Sequence, residues 1–228
     1  MLSDVPHVIR RWVLRLCVAL AAGGAATAAA ACDTALMLSI DVSNSVDPGE
    51  YRLQTDGLAD ALADPEIVEA LVQGQVALAV MQWSGAERQA LSIPWTRMST
   101  AADVALFATQ ARLTERAFVL SDTAPAEAVY FALEQFGDVA DCARHIIDVS
   151  GDGTPNAGTD ILAARLAAER AGVTINGIAI ESMGMAITGF YQRSLITRDG
   201  FVITARTHRD YPRAIRDKIV RELSRVLG

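Results

Sequence analysis

The sequence predicts an α/β protein: a doubly wound, mostly parallel sheet with helices on both faces and one antiparallel edge strand. Three observations carry that expectation. Apolar, β-branched runs alternate with helical periods in the order β-α-β-β-α-α-β-α-β-α-β-α, and strand–helix alternation is what a parallel sheet requires. Some of these runs, "RHIIDVSGDG" (144–153) above all, show almost no polar interruption, as strands covered on both faces do. Two strands end in an acid followed by small, turn-forming residues, which is how a ligand crevice forms beyond the carboxyl ends of parallel strands.

The chain has 228 residues, and residues 1–31 read as a secretory signal. Arg10, Arg11 and Arg15 precede an alanine-rich apolar core and small residues suited to a signal peptidase. Arg15 interrupts the apolar run, so a spanning helix is the weaker reading. The Arg10-Arg11 pair followed by "WVLR" loosely resembles a twin-arginine signal. Residues 32–228 are enough for one well-packed domain, with no linker or repeat to divide them. The leader holds three of the chain's 20 basic residues and one of its 27 acidic ones, so the remainder carries a net charge of −9 with histidine neutral. Neither nucleic acid nor an anionic membrane surface suits such a balance, and no later basic run offsets it.

"TALMLSID" (34–41) is a buried strand, and "DPGEYRLQTDGLADALAD" (47–64) a helix opened by the Asp47 cap, Pro48 and the acid Glu50. "QVALAVMQWSG" (75–85) and "RQALSIPWTRM" (88–98) make a hairpin whose second strand Pro94 places at a sheet edge. Helices follow at 100–113 and 124–136, then the strand at 144–153. "DILAARLAAERAG" (160–172) is a helix closed by glycine, "VTINGIAIES" (173–182) a buried strand and "GFVITAR" (200–206) a last strand. "YPRAIRDKIVRELSRVL" (211–227) is an amphipathic helix with Tyr211, Ile215, Ile219, Leu223 and Val226 or Leu227 on one face and charges opposite.

Once Cys17 leaves with the leader, Cys32 and Cys142 form an even pair, which favours a disulfide in an oxidising compartment. Lipidation of Cys32 is the competing reading, though the preceding "AAA" lacks the leucine-like residue of a lipobox.

After the first strand come Asp41, Ser43 and Ser45, three oxygen-bearing side chains at alternate positions. One carboxylate and two hydroxyls without histidine or thiolate suit Mg²⁺ or a similar hard cation. The same residues also serve as turn formers and caps.

"DVSNS", "SDTAPAEAVYFAL" and "IIDVSGDGTPN" occur in the order found in the von Willebrand factor A family, and the chain resembles that family. The resemblance extends over the mature chain to its secreted bacterial subgroup DUF1194, through "IDVSNSVDPGEYRLQTDGLADAL", "VALAVMQWSG", "PWTRM", "DVSGDGTPN" and "GVTINGIAI". It implies a metal-ion-dependent adhesion site built from Asp41, Ser43, Ser45, Thr123 and Asp152, holding Mg²⁺ with Mn²⁺ or Ca²⁺ as substitutes. Asp148 competes for the last role, and Asp152 is preferred because "GDG" stands where the family has "TDG". Asp122 replaces the glycine that commonly precedes the family's threonine. The loop "ESMGMAITGF" (181–190) falls on the expected rim, where Met183 and Met185 either offer an adaptable apolar contact or tuck under the neighbouring helix. The topology also sets the starts of the first and fourth strands side by side, supporting the Cys32–Cys142 bridge.

The function implied is an exported, periplasmic or extracellular protein-binding module whose cation accepts an acidic residue of an unidentified protein. The alternatives are a metal-dependent hydrolase and an envelope protein with a purely structural site. Against hydrolysis, no general base is evident: His145 reads as structural and His208 as a surface residue. Nucleophile-elbow, P-loop and paired zinc-ligand motifs are missing from the sequence.

Overall fold

The computed structural model describes residues 32–181 and 186–224. The expected leader (1–31), Met183, Met185, Val226 and Leu227 lie outside the described residues. Six strands run in the order β3-β2-β1-β4-β5-β6: β1 (Thr34–Asp41), β2 (Ala77–Trp83), β3 (Gln89–Arg97), β4 (Arg144–Gly151), β5 (Val173–Ile180) and β6 (Val202–Ala205). Every neighbouring pair is parallel except β2–β3. β3 is the expected edge strand. Its register to β2 shifts between the Leu78–Thr96 and Val80–Ile93 pairs, where Pro94 has no N–H to give the ladder.

Side-chain alternation divides the core in two. Leu36, Leu38 and Ile40 pack with α1 (Pro48–Leu62), α2 (Pro65–Gln73), α3 (Ala101–Leu113) and α7 (Tyr211–Leu223). Ala35 and Met37 face α4 (Pro125–Gln135), α5 (Ile161–Arg170), and the short α6 (Ala186–Phe190) with its π-helical continuation Tyr191–Leu195. At α1 the Asp47 side chain accepts from the Glu50 N–H and the Glu50 side chain accepts from the Asp47 N–H, a complete capping box. The sequence reading runs that helix on to Asp64, and the structure corrects it. Asp64 instead caps α2 by accepting from the Glu66 N–H, with Pro65 in the first turn.

The amino-terminal ends of β1 and β4 are adjacent, pairing from Thr34 and Arg144. Cys32 and Cys142 are bonded there, their Cα atoms 4.4 Å apart, which leaves no thiol on Cys32 for a lipid.

α7 departs from the expected split between an apolar and a charged face. Tyr211, Ile215, Ile219 and Leu223 are buried, but so are Lys218 and Glu222. Lys218, the chain's only lysine, places Nζ 2.7 Å from Asp148 Oδ1 and donates to Glu222 Oε1. Asn176 donates to the same Glu222 oxygen. Burial raises the Asp148 carboxyl to about 7, with Lys218 opposing the rise and Glu222 adding to it. Lys218→Met removes the cation from between two buried acids, and breaking such a group by deleting one partner is strongly destabilising. The expected loss is about 3 kcal/mol at pH 8 in urea unfolding, and less at pH 5, where Asp148 takes up a proton. An unchanged midpoint at pH 8 would contradict this role.

Candidate metal centre

Winding reverses between β1 and β4: β2 lies outside β1, and β5 outside β4. Their carboxyl ends open a crevice flanked by three loops: 42–46 after β1, 114–124 between α3 and α4, and 152–160 after β4. The first loop is anchored by Arg116, whose Nη2 donates to the carbonyls of Val42 and Ser43 at 2.9 Å each. It is tied to the second loop by the Asn44 N–H to the Ser121 carbonyl. The third loop reaches back to the second, where Asn156 Oδ1 accepts from the Thr123 N–H at 2.8 Å.

These anchors bring the expected donors together. Ser43 Oγ and Ser45 Oγ are 3.1 Å apart, and Ser45 Oγ donates to Asp152 Oδ1 at 2.6 Å. Thr123 Oγ1 reaches the same place, since a Cβ on Gly153 would stand 3.5 Å from it and 3.9 Å from Ser45 Oγ. Asp41 is fully buried. Its Oδ1 accepts from the Ser43 N–H at 2.7 Å, while Oδ2 is buried without a hydrogen-bond partner among the described residues.

Such an orphaned carboxylate oxygen is costly unless something neutralises it. Burial pushes the Asp41 carboxyl up to about 7, with Ser43 opposing and Asp152 adding repulsion. Tyr191 Oη, also buried and unpartnered, closes the space beneath. Gly151 is obligatory here, because a Cβ would lie 2.8 Å from both Asp41 Oδ2 and Tyr191 Oη. The set of hydroxyls and carboxylates, with one buried oxygen unpaired, fits a hard divalent cation.

Asp148, the competing acid, belongs instead to the Lys218 group. Asp122 is exposed at the rim, and its carbonyl accepts from Ser84 Oγ. His145 packs edge-on against Phe136 near the start of β4, with Nε2 3.1 Å from the Val139 carbonyl.

His208 is not on the surface. It is 7% exposed, in the 3-10 turn His208–Asp210 before α7. Its Nδ1 lies 3.0 Å from Glu50 Oε1, and its Nε2 3.8 Å from Asp152 Oδ2. The turn packs against the first turn of α1, which holds Glu50, and that contact seals the imidazole. Sequence reasoning missed both His208 and Glu50 as neighbours of the site. The missing-base argument against hydrolysis loses force accordingly.

Comparison with known proteins gives the arrangement a family. The model described as "Protein of unknown function (DUF1194)" matches residues 31–227. No curated protein matches the chain. Among solved structures, proximal thread matrix protein 1 from the mussel byssus has a TM-score of 0.64 at 16% identity, over 85% of this chain and 48% of that one. The same protein with a zinc-occupied MIDAS motif, the metal-ion-dependent adhesion site, scores 0.61 at 14% identity, over 85% and 46%. A von Willebrand factor type A protein from Catenulispora acidiphila scores 0.57 at 17% identity, over 86% and 43%. The PilB minor pilin from Streptococcus sanguinis scores 0.64 at 9% identity, over 86% and 62%. The chain thus spans less than two thirds of each, and at these identities the likeness is one of fold. With its family model matched along nearly the whole sequence, the chain belongs to the DUF1194 family, and its fold is that of the von Willebrand factor A domains.

Proposed function

We propose that the protein is an exported protein-binding module in which Asp41, Ser43, Ser45, Thr123 and Asp152 hold a divalent cation, Mg²⁺ first, that accepts a carboxylate from a partner protein. The observation that carries this reading is the convergence of Ser43, Ser45, Thr123 and Asp152 above Asp41, whose Oδ2 is buried and unpaired. When bound, the cation supplies a Lewis-acidic position for an incoming carboxylate. The chain's own residues do the rest. Arg116 fixes the DxSxS loop, and Asp41 keeps negative charge beneath the hydroxyls. Leu120, 84% exposed, gives the rim apolar surface beside Ser45 and Thr123. An acidic residue with an apolar neighbour suits that pairing. The related structures, a minor pilin and a byssus matrix protein with a zinc-occupied MIDAS, support an extracellular binding role. The disulfide supports export to an oxidising compartment, and a cleaved leader at 1–31 is part of the same proposal.

Titration calorimetry tests the metal. Mg²⁺ is expected to bind EDTA-stripped protein, and Thr123→Ala to weaken it at least about tenfold, roughly 1.4 kcal/mol. An identical isotherm for the variant would remove the site. Capture of envelope proteins on the immobilised chain, with and without EDTA, tests the partner. A protein held equally well under both conditions would contradict carboxylate recognition through the metal. Metal-dependent hydrolysis is the second reading, favoured only by His208 beside Asp152. Ester or phosphate turnover that falls with Asp152→Asn would promote it.

A further inference from the structure

Glu50, Asp152 and His208 form a second cluster of ligands outside the DxSxS pattern. They come from the first turn of α1, the loop after β4 and the turn before α7. One ligand atom from each lies within 4.8 Å of the others. His208 Nε2 is buried, has no hydrogen-bond partner among the described residues and points toward Asp152. A buried, unpartnered imidazole nitrogen needs an explanation. Asp152 faces that nitrogen and Glu50 the other edge of the ring, and two carboxylates gathered with an imidazole make a cation the fitting partner.

The carboxyl oxygens are already divided in a way that suits this. Glu50 Oε2 accepts from the Asp47 N–H, which leaves Oε1 toward His208. Asp152 Oδ1 accepts from Ser45 Oγ in the crevice, which leaves Oδ2 toward His208. Asp152 therefore stands between the two sites with one oxygen for each.

We propose that Glu50, Asp152 and His208 bind a second divalent cation, joined to the crevice through the shared Asp152 carboxylate and selective for Zn²⁺-class ions over Mg²⁺. The selectivity follows from the donors. Imidazole nitrogen suits Zn²⁺, whereas Mg²⁺ prefers oxygen in an octahedral shell. The inference rests on the proposed crevice site only in sharing Asp152.

The experiment titrates EDTA-stripped, uniformly ¹⁵N-labelled protein with ZnCl₂, and separately with MgCl₂, by calorimetry and long-range ¹H–¹⁵N imidazole spectra. Two equivalents of Zn²⁺ and one of Mg²⁺ are expected. Zn²⁺ should shift the His208 Nε2 resonance and leave His145 in place. His208→Gln should lose one Zn²⁺ equivalent with Mg²⁺ binding unchanged, and Glu50→Gln should weaken that equivalent at least about tenfold. Unmoved His208 resonances, or two Zn²⁺ equivalents in His208→Gln, would overturn the proposal even if Mg²⁺ binds. The spectra need no variant, so a misfolded His208→Gln does not blunt the test. Zn²⁺ at His208 without Mg²⁺ binding would instead defeat the crevice reading and leave this site standing.

Discussion

Cys32→Ala with Cys142→Ala is expected to lower the free energy of unfolding by about 5 kcal/mol, the loss predicted by chain entropy for a closed loop a little over 100 residues long. The bridge spans a sequence separation of 110 and encloses everything from β1 through α4. The native arrangement does not depend on it alone. The Ala143 N–H bonds the Cys32 carbonyl, the Arg144 N–H bonds the Asp33 carbonyl, and Arg144 Nη2 donates to Asp33 Oδ2 at 2.6 Å. With those contacts kept, the double variant should fold to the same sheet and differ mainly in an unfolded chain freed of its cross-link. A loss of this size is a large part of a domain's usual 5–15 kcal/mol. Urea unfolding of wild type with and without reductant should show the same drop, and maleimide should label both thiols only after reduction. A shift below about 1 kcal/mol would mean that the backbone ladder, not the sulfur bridge, pins the amino terminus.

How far sequence anticipates such features depends on whether their cause is local. Asp47, Pro48 and Glu50 declare a helix start because all the partners lie within one turn. Alternation in "LMLSID" declares a buried strand for the same reason, and the strand ends that carry Asp41 and Asp152 follow from the winding rule. α2 stays hidden because Asp64-Pro65 repeats the same start signal only two residues after Leu62. A periodic pattern read across that break looks like one helix ending. His208 shows no local sign of burial. What buries it is α1, more than 140 residues earlier in the chain, and only tertiary packing brings Glu50 to its ring. Lys218 and Glu222, four apart, read as an exposed helical ion pair. Their signal was in another element: Asp148 interrupts an otherwise apolar strand, and a buried acid calls for a cation, which the chain's only lysine provides. Of the candidate donors, Asp41 could be placed from sequence, but its unpaired Oδ2 could not.

That oxygen makes Asp41→Asn the most direct probe of the crevice. In EDTA the variant is expected to be more stable than wild type at pH 8, by up to about 4 kcal/mol. The sign follows from proton linkage. Asp41 titrates near 3.8 when exposed, and burial raises it to about 7 in the fold. Between those values the folded protein holds a proton that the unfolded chain has released. The stability contributed by the neutral acid is thus full below about pH 4 and is lost as pH rises through 7. A difference of roughly three pH units corresponds to about 4 kcal/mol, the cost of keeping a bare carboxylate beneath the hydroxyls. Asparagine retains an acceptor for the Ser43 N–H and carries no charge, so the cost of burying a carboxylate disappears. Wild-type stability should therefore decline from pH 5 to pH 8 more steeply than that of the variant. Asp148 contributes a slope of the same sign to both. Mg²⁺ should close the gap: at one thousand times the dissociation constant it adds about 4.1 kcal/mol to the wild type and nothing to Asp41→Asn. Urea midpoints at pH 5 and pH 8, with EDTA or Mg²⁺, decide the matter. A variant less stable than wild type in EDTA at pH 8 would show that Asp41 is a structural acid. A gap present in EDTA and closed by Mg²⁺ would mean that the metal-free fold carries a destabilised carboxylate whose partner is the cation.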